Sequence, residues 1–283
     1  MTLQANDVRP GGLASSARPA PPNLLTAGIA FVETTLVIVE LEVRKLRHDY
    51  TDLITRAIQP ALWLLLFGEV FSSLRAIPTG GVRYLDFMTP GILAQSVLFV
   101  AIFYGIAVIW ERDMGILQKF LVSPAPRAAL VLGKALSAGV RALVQTVIVY
   151  ALALALGVQL NGNPLALLGV LAAVLLGAAL FATFSLIIAC LVKTRERFMG
   201  IGQVLTMPLF FASNAIYPIA IMPTWLQVIS HLNPLSYEVD ALRALMLAGG
   251  TSSFGLGWDF SVLIIATVIM VLIGARLYPR VVT

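Results

Sequence analysis

Charge is scarce in this chain. Only 12% of its 283 residues are Asp, Glu, Lys or Arg, while 59% are hydrophobic. An ordinary soluble domain carries about 25% charged residues, and a water-soluble fold of this length cannot hide so much apolar surface. Cysteine is nearly absent. Cys190 stands alone in an apolar segment, which excludes a disulfide within the chain and reads as a buried, unreactive thiol. Histidine is almost as rare: His48 and His231 fall on opposite expected sides of a membrane, so neither a His pair nor a His–Cys metal site is expected. A phosphate-cradling loop is missing too. Gly133-Lys134 looks like the end of one, but the motif needs a glycine where Ala128 stands, a hydroxyl where Ala135 stands, and a strand before it. No other stretch offers a nucleotide site, and Glu238, Asp240 and Asp259 are scattered. The chain does not read as an enzyme.

What it has instead is hydrophobicity in blocks of about 20 residues, the length that crosses a hydrocarbon core of roughly 30 Å. The expected fold is an all-α polytopic membrane protein with six transmembrane helices, at about 56–74, 88–110, 128–157, 165–192, 198–217 and 259–279. Residues 1–25, rich in Pro, Ala, Ser and Gly, read as a disordered cytoplasmic tail and not a signal peptide. Within 26–54, Ile29, Val32, Leu36, Val39, Val43 and Leu46 follow an alternating three- and four-residue spacing, one stripe down a helix. The other faces carry Glu40, Glu42, Arg44, Lys45, Arg47 and Asp49, too many charges to span, so an amphipathic helix in the headgroup plane is expected there. A coiled-coil segment fits the same spacing. Residues 55–283 then hold the six spans.

The linkers set orientation. Fifteen basic residues (Arg9, Arg18, Arg44, Lys45, Arg47, Arg56, Arg112, Lys119, Arg127, Lys134, Lys193, Arg195, Arg197, Arg276 and Arg280) fall on one side of the expected spans, and Arg75, Arg83 and Arg243 on the other. The positive-inside rule therefore places both termini in the cytoplasm, and accounts for the net charge of +5 without nucleic acid. The linker 217–258 is too long for a turn and too apolar for a free loop. It reads as a short extracellular re-entrant helix pair: one helix from Thr224 to Leu232, a break at Asn233-Pro234, and a second helix that presents Val239, Leu242 and Leu245 and ends by Gly249-Gly250.

The stretch 111–134, ERDMGILQKFLVSPAPRAALVLGK, packs six charges and two prolines between two spans. Glu111, Arg112 and Asp113 close the second span, 114–122 can form a short helix, and Ser123-Pro124-Ala125-Pro126 breaks it before the third span restarts at Arg127. This is either a rigid element that passes motion from a soluble motor to the bundle or an ordinary loop with orienting charges. The run from Trp110 to Gly157 resembles the signature region of ABC-2 type permeases, the membrane subunits of ATP-driven exporters such as those for daunorubicin resistance and nodulation lipooligosaccharides. The likeness rests on Glu111-Arg112-Asp113, on Leu121 to Arg127 by way of Pro124, on Gly133-Lys134 and on Gln145. Gln59-Pro60, FMTPGILAQ at 87–95 and Asn233-Pro234-Leu235-Ser236-Tyr237 add to it, and it covers about 30–280. The resemblance implies a six-span permease that dimerises in a bacterial inner membrane and binds two ABC ATPase subunits. Those partners would hold the ATP and Mg, with no cofactor in this chain. It further implies that the N-terminal helix and the loop after the second span face the ATPase. The residues expected to couple are Glu111, Arg112, Asp113, Gln118, Lys119, Pro124 and Arg127, with Glu42 and Arg44.

Four further residues are candidates for a pathway or gate. Glu69 lies in the first span, where a carboxylate at mid-bilayer costs about 2.5–3.5 kcal/mol, although its place near the outer end equally allows solvation. Gln145, deep in the third span, is a bridge between helices or a substrate contact. Pro208 and Asn214 are placed to kink the fifth span. Gly169, Ala173 and Gly177, four residues apart, permit close helix approach. A hydrophobic or amphiphilic export substrate, drug or lipid-like, suits so greasy a chain; a polysaccharide or lipooligosaccharide is the alternative. An ion-driven transporter would need paired mid-membrane ionisable groups and repeats, which the sequence lacks. A non-transporting scaffold stays open.

Overall fold

The computed structural model describes residues 33, 37, 40, 44, 50–74, 77–79, 81–115, 127–192 and 194–278. Among these the regular structure is helical, apart from one antiparallel bridge between Leu160 and Leu247. Helix α1 (Tyr50–Leu62) runs through a π-helical segment (Trp63–Gly68) into α2 (Glu69–Leu74). Then come α3 (Tyr84–Asp113), α4 (Arg127–Ala155), α5 (Pro164–Leu191) and α6 (Arg195–Phe211). A 3₁₀ turn (Ile219–Ile221) leads to α7 (Thr224–Leu232), α8 (Pro234–Met246) and α9 (Leu256–Leu277). Four of these are long and apolar enough to cross a membrane: α3, α4 from Leu130, α5 and α9. A shorter apolar stretch, Ala57–Ser73, runs through α1, the π segment and α2. The wide π turn follows Pro60, whose missing N–H already interrupts the helical ladder.

The residues explain the ends. Asn163 and Asn233 both precede a proline at the first helical position, and each side chain accepts the N–H two residues on, Leu165 and Leu235, at 3.0 Å. Thr194 starts α6 in the same way through the N–H of Arg197. Pro208 acts differently from the expected mid-span kink. It lies in the last turn of α6, and the helix stops at Phe211 rather than continuing to 217; the N–H of Ala212 closes back on the Pro208 carbonyl at 2.8 Å. At 17 residues α6 is about 26 Å long, shorter than the hydrocarbon core.

Helix α3 is hydrophobic all round and is the centre of the fold, with Leu85, Met88, Ile92, Leu93, Val97, Leu98, Ile102 and Ile109 fully buried. Helix α9 lies outside and exposes Ile264, Ile265, Val268, Ile269 and Leu272. Small residues let the helices close. The stripe Gly169–Ala173–Gly177 on α5 receives α8: a Cβ at Gly169 would meet Leu245 Cδ1 at 2.8 Å, and one at Gly177 would collide with the Glu238 carboxyl. Val239 and Leu242 of α8 are buried in the same cluster. Gly177 is 13 residues into α5, so Glu238 reaches about 20 Å along that helix. Gly91 on α3 faces the backbone after α6, where a Cβ would lie 2.7 Å from Ala215 Cα.

Backbone cannot yield at that contact as a side chain can. Gly91→Ala is therefore expected to destabilise by about 1–3 kcal/mol, the cost of overpacking, despite the helix propensity of alanine. Gly200→Ala on α6, with nothing within 4 Å, should be neutral or gain up to about 1 kcal/mol. Thermal unfolding of the detergent-solubilised variants checks both, and equal midpoints would contradict the packing at Gly91.

Candidate functional site

Successive residues on a helix point about 100° apart, so three charges in a row at a helix end reach three different neighbours. Glu111, Arg112 and Asp113 do this at the end of α3. Glu111 pairs with Lys134 on α4, with side chains only 16% and 6% exposed. The Arg112 Nη1 donates to the carbonyl of Val192, the residue that ends α5, at 3.2 Å. Asp113 Oδ2 accepts from Nη2 of Arg195, the first residue of α6, at 2.9 Å, and that guanidinium lies 3.7 Å from the centre of the Trp110 ring. The triplet thus clasps α3 to α4, α5 and α6. Beneath it Val108, Leu130, Val131, Leu186 and Cys190 form an apolar cluster with Tyr278, the residue after α9. Gly115, at φ +71°, turns the chain away from α3.

The other coupling candidates are less visible. Gln118, Lys119, Pro124 and Glu42 lie outside the described residues. Arg127 opens α4. Arg44 is helical and exposed and pairs with Glu40 one turn back at 2.6 Å, consistent with a charged helical face. Lys134 and Arg195 were absent from the expected site. Lys134 had one signal: a buried cation inside an apolar helix needs a counter-charge.

The pathway candidates separate into three places. Gln145, buried, lines a groove of about 350 Å³ with Thr55 and Gln59 of α1 and Ser96, Phe99, Val100 and Phe103 of α3. Gln59 had entered the sequence reading only as part of a motif. Glu69 is exposed and lines a recess of about 900 Å³ with Ser72, Ser73, Arg83 and Tyr84, at the opposite end from the clasp. Asn214 is buried in the loop after α6, beside another recess at that end, and Pro208 lines none of these cavities. A single four-residue gate is not what the fold brings together.

Breaking a buried pair leaves a charge without compensation, at about 3–5 kcal/mol, whereas exposed pairs contribute about 0–1 kcal/mol. Lys134→Met should therefore lower the unfolding midpoint far more than Arg195→Met, whose side chain is 34% exposed. The exchanged pair Glu111→Lys with Lys134→Glu should recover most of the loss. Midpoints in detergent measure this, and failure of the exchange to recover stability would deny the pair its role.

Known proteins are similar to this chain in sequence. A daunorubicin resistance ABC transporter permease protein, DrrB1 of Streptomyces coeruleorubidus, is 28% identical over 271 residues, 95% of this chain and 90% of its own length. A relative in Mycobacterium tuberculosis named for doxorubicin resistance, the ABC transporter permease protein DrrC, is 24% identical over 87% of this chain and 90% of its own length. A transport permease named ycf38 in Cyanophora paradoxa is 31% identical over 76% of this chain and 74% of its own. The model of the ABC-2 type transporter family matches residues 33–247, well over half of the sequence. The chain belongs to the ABC-2 type transporter family of membrane permeases.

Proposed function

We propose that the chain is the membrane subunit of an ATP-driven exporter, moving a hydrophobic or amphiphilic molecule from the cytoplasm or inner leaflet outward. Two soluble ABC ATPases bind and hydrolyse ATP with Mg, and a second permease copy completes the route. The observation that carries this reading is the clasp: one three-residue sequence at the end of α3 joins the ends of three other helices. A push on the residues that follow Asp113 in sequence reaches α3, α4, α5 and α6 together. The groove at Gln145 lies between α1, α3 and α4 and offers polar side chains in an apolar wall, which suits an amphiphile passing between two subunits. Six spans in a bacterial inner membrane, both termini cytoplasmic, and a re-entrant α7–α8 pair fit the basic residues at the clasp end and the depth that Glu238 reaches on α5. The drug-resistance names of two relatives favour a drug or lipid-like substrate over a polysaccharide.

Substitutions at Gln118 and Lys119 probe the expected ATPase contact without touching the clasp. Tagged chain is purified in mild detergent from cells that supply the cognate ATPase, and the eluate is assayed for ATP hydrolysis. Reversing Lys119 to Glu together with Gln118→Ala should abolish the co-purifying activity while leaving the amount of folded chain unchanged. Folded wild-type chain without any ATPase would refute the proposal, and activity unchanged in the variant would remove these two residues from the contact.

A further inference from the structure

At the end of the bundle opposite the clasp is a recess of about 460 Å³, within the range that holds a small ligand. Arg243, in the last turn of α8, lines it. Its Nη2 donates to the Asn214 carbonyl at 2.8 Å and to the Phe87 carbonyl at 3.4 Å, and the guanidinium sits 3.9 Å from the centre of the Phe87 ring. These partners are neutral. Among the described residues no carboxylate lies within ion-pair distance of it, and its Nε is buried with no hydrogen-bond partner. Asp240, one turn earlier on α8, is near enough for its charge to act on Arg243 but makes its hydrogen bonds elsewhere: its Oδ2 accepts from Ser252 Oγ at 2.8 Å, the Ser253 N–H at 2.7 Å and the Phe254 N–H at 3.0 Å.

A second unanswered group lines the same recess. Asn214 is 3% exposed, and its Oδ1 is buried without a partner. An amide turns either way, so it offers an N–H to an anionic oxygen or a carbonyl to a hydroxyl beside it. The rest of the wall is mixed: Phe254, Val82, Ile219 and Leu247 give it an apolar side, and His231, Thr79, Thr251 and Ser253 add polar groups, none of them a carboxylate. A half-buried cation with no carboxylate in ion-pair contact, next to an unsatisfied amide and a partly apolar wall, has the requirements of one ligand class.

We propose that this recess binds the anionic headgroup, phosphate or carboxylate, of an amphiphile. Arg243 is the counter-ion, Asn214 holds a second polar atom of the headgroup, and the Phe254 side of the wall takes the start of the apolar body. An anionic bilayer lipid and an exported molecule present the same chemistry here. Binding requires neither ATP nor a partner subunit; only the position of the recess on the outer side rests on the orientation proposed above.

Native mass spectrometry of the purified chain in neutral detergent tests this. Decyl phosphate should give saturable one-to-one adducts at concentrations where decyltrimethylammonium gives none. Arg243→Gln should weaken the adduct about tenfold or more, the share of a charge-assisted hydrogen bond; Arg243→Lys, which keeps the charge, should weaken it less. Equal binding of the two detergent ions to wild-type chain would overturn the proposal without any variant, as would an unchanged affinity in Arg243→Gln. Chain extracted from mixed phosphatidylglycerol and phosphatidylcholine decides the source. Retained phosphatidylglycerol that is lost in Arg243→Gln supports a lipid occupant. Decyl phosphate binding with no retained lipid supports an exported amphiphile.

Discussion

Hydrocarbon offers no hydrogen bonds, so each polar group that the chain carries between its two ends must be answered by the chain itself. The hydroxyls of Thr89, Ser96, Ser137, Thr146, Thr183 and Thr267 each donate to the carbonyl four residues back, a bond that costs the helix little. Ser185 reaches across to the Ile102 carbonyl and ties α5 to α3. Ion pairs follow the same constraint. Glu111 and Lys134 are the strongly buried pair among the described residues, and they sit where α3 ends and α4 begins its run.

That constraint gives the molecule two unlike ends. At the clasp end Glu111, Arg112 and Asp113 each have a partner on another element, and the apolar cluster below them includes the residue after α9. The far end is looser. Its helices are capped by asparagines and end in recesses, and three of the glycines with positive φ, Gly81, Gly249 and Gly255, lie in its turns. Unpaired polar atoms lie there also, at Asn214, Asp240, Arg243 and Asp259, while the Glu238 carboxyl, deeper along α5, is the exception that no side chain answers among the described residues. A tight end suits the receipt of force, and an end with open recesses and unanswered charge suits the handling of a ligand.

Much of this was legible in the residues. Four of the six apolar blocks became long helices within a few residues of their expected bounds, because a block of that length has one use in a bilayer, while the first is a shorter stretch interrupted by a π segment. Asn233-Pro234 was read as a break and is one, since proline fixes the start of a helix wherever it falls. The fifth block was misjudged at its end. Hydrophobicity continues to Tyr217, but Pro208 removes a donor and the chain leaves the helix after Phe211; periodicity does not report a missing N–H. The asparagine at 163 repeats the device at 233, but it lies outside the apolar block that marks the span.

By itself the sequence determined that the chain is helical and membrane-embedded, which family it resembles, and which end holds most of the basic residues. Composition, block length and charge position are local properties, and each follows from a cost that a single segment meets alone. Tertiary structure decided the partners. That Lys134 answers Glu111, that Arg195 answers Asp113, that Gln59 joins Gln145, and that α8 lies on the Gly169–Gly177 stripe all depend on which helix faces come together. Those pairings join residues from 23 to 86 positions apart, and their energy comes from burial that no segment achieves before the others are in place.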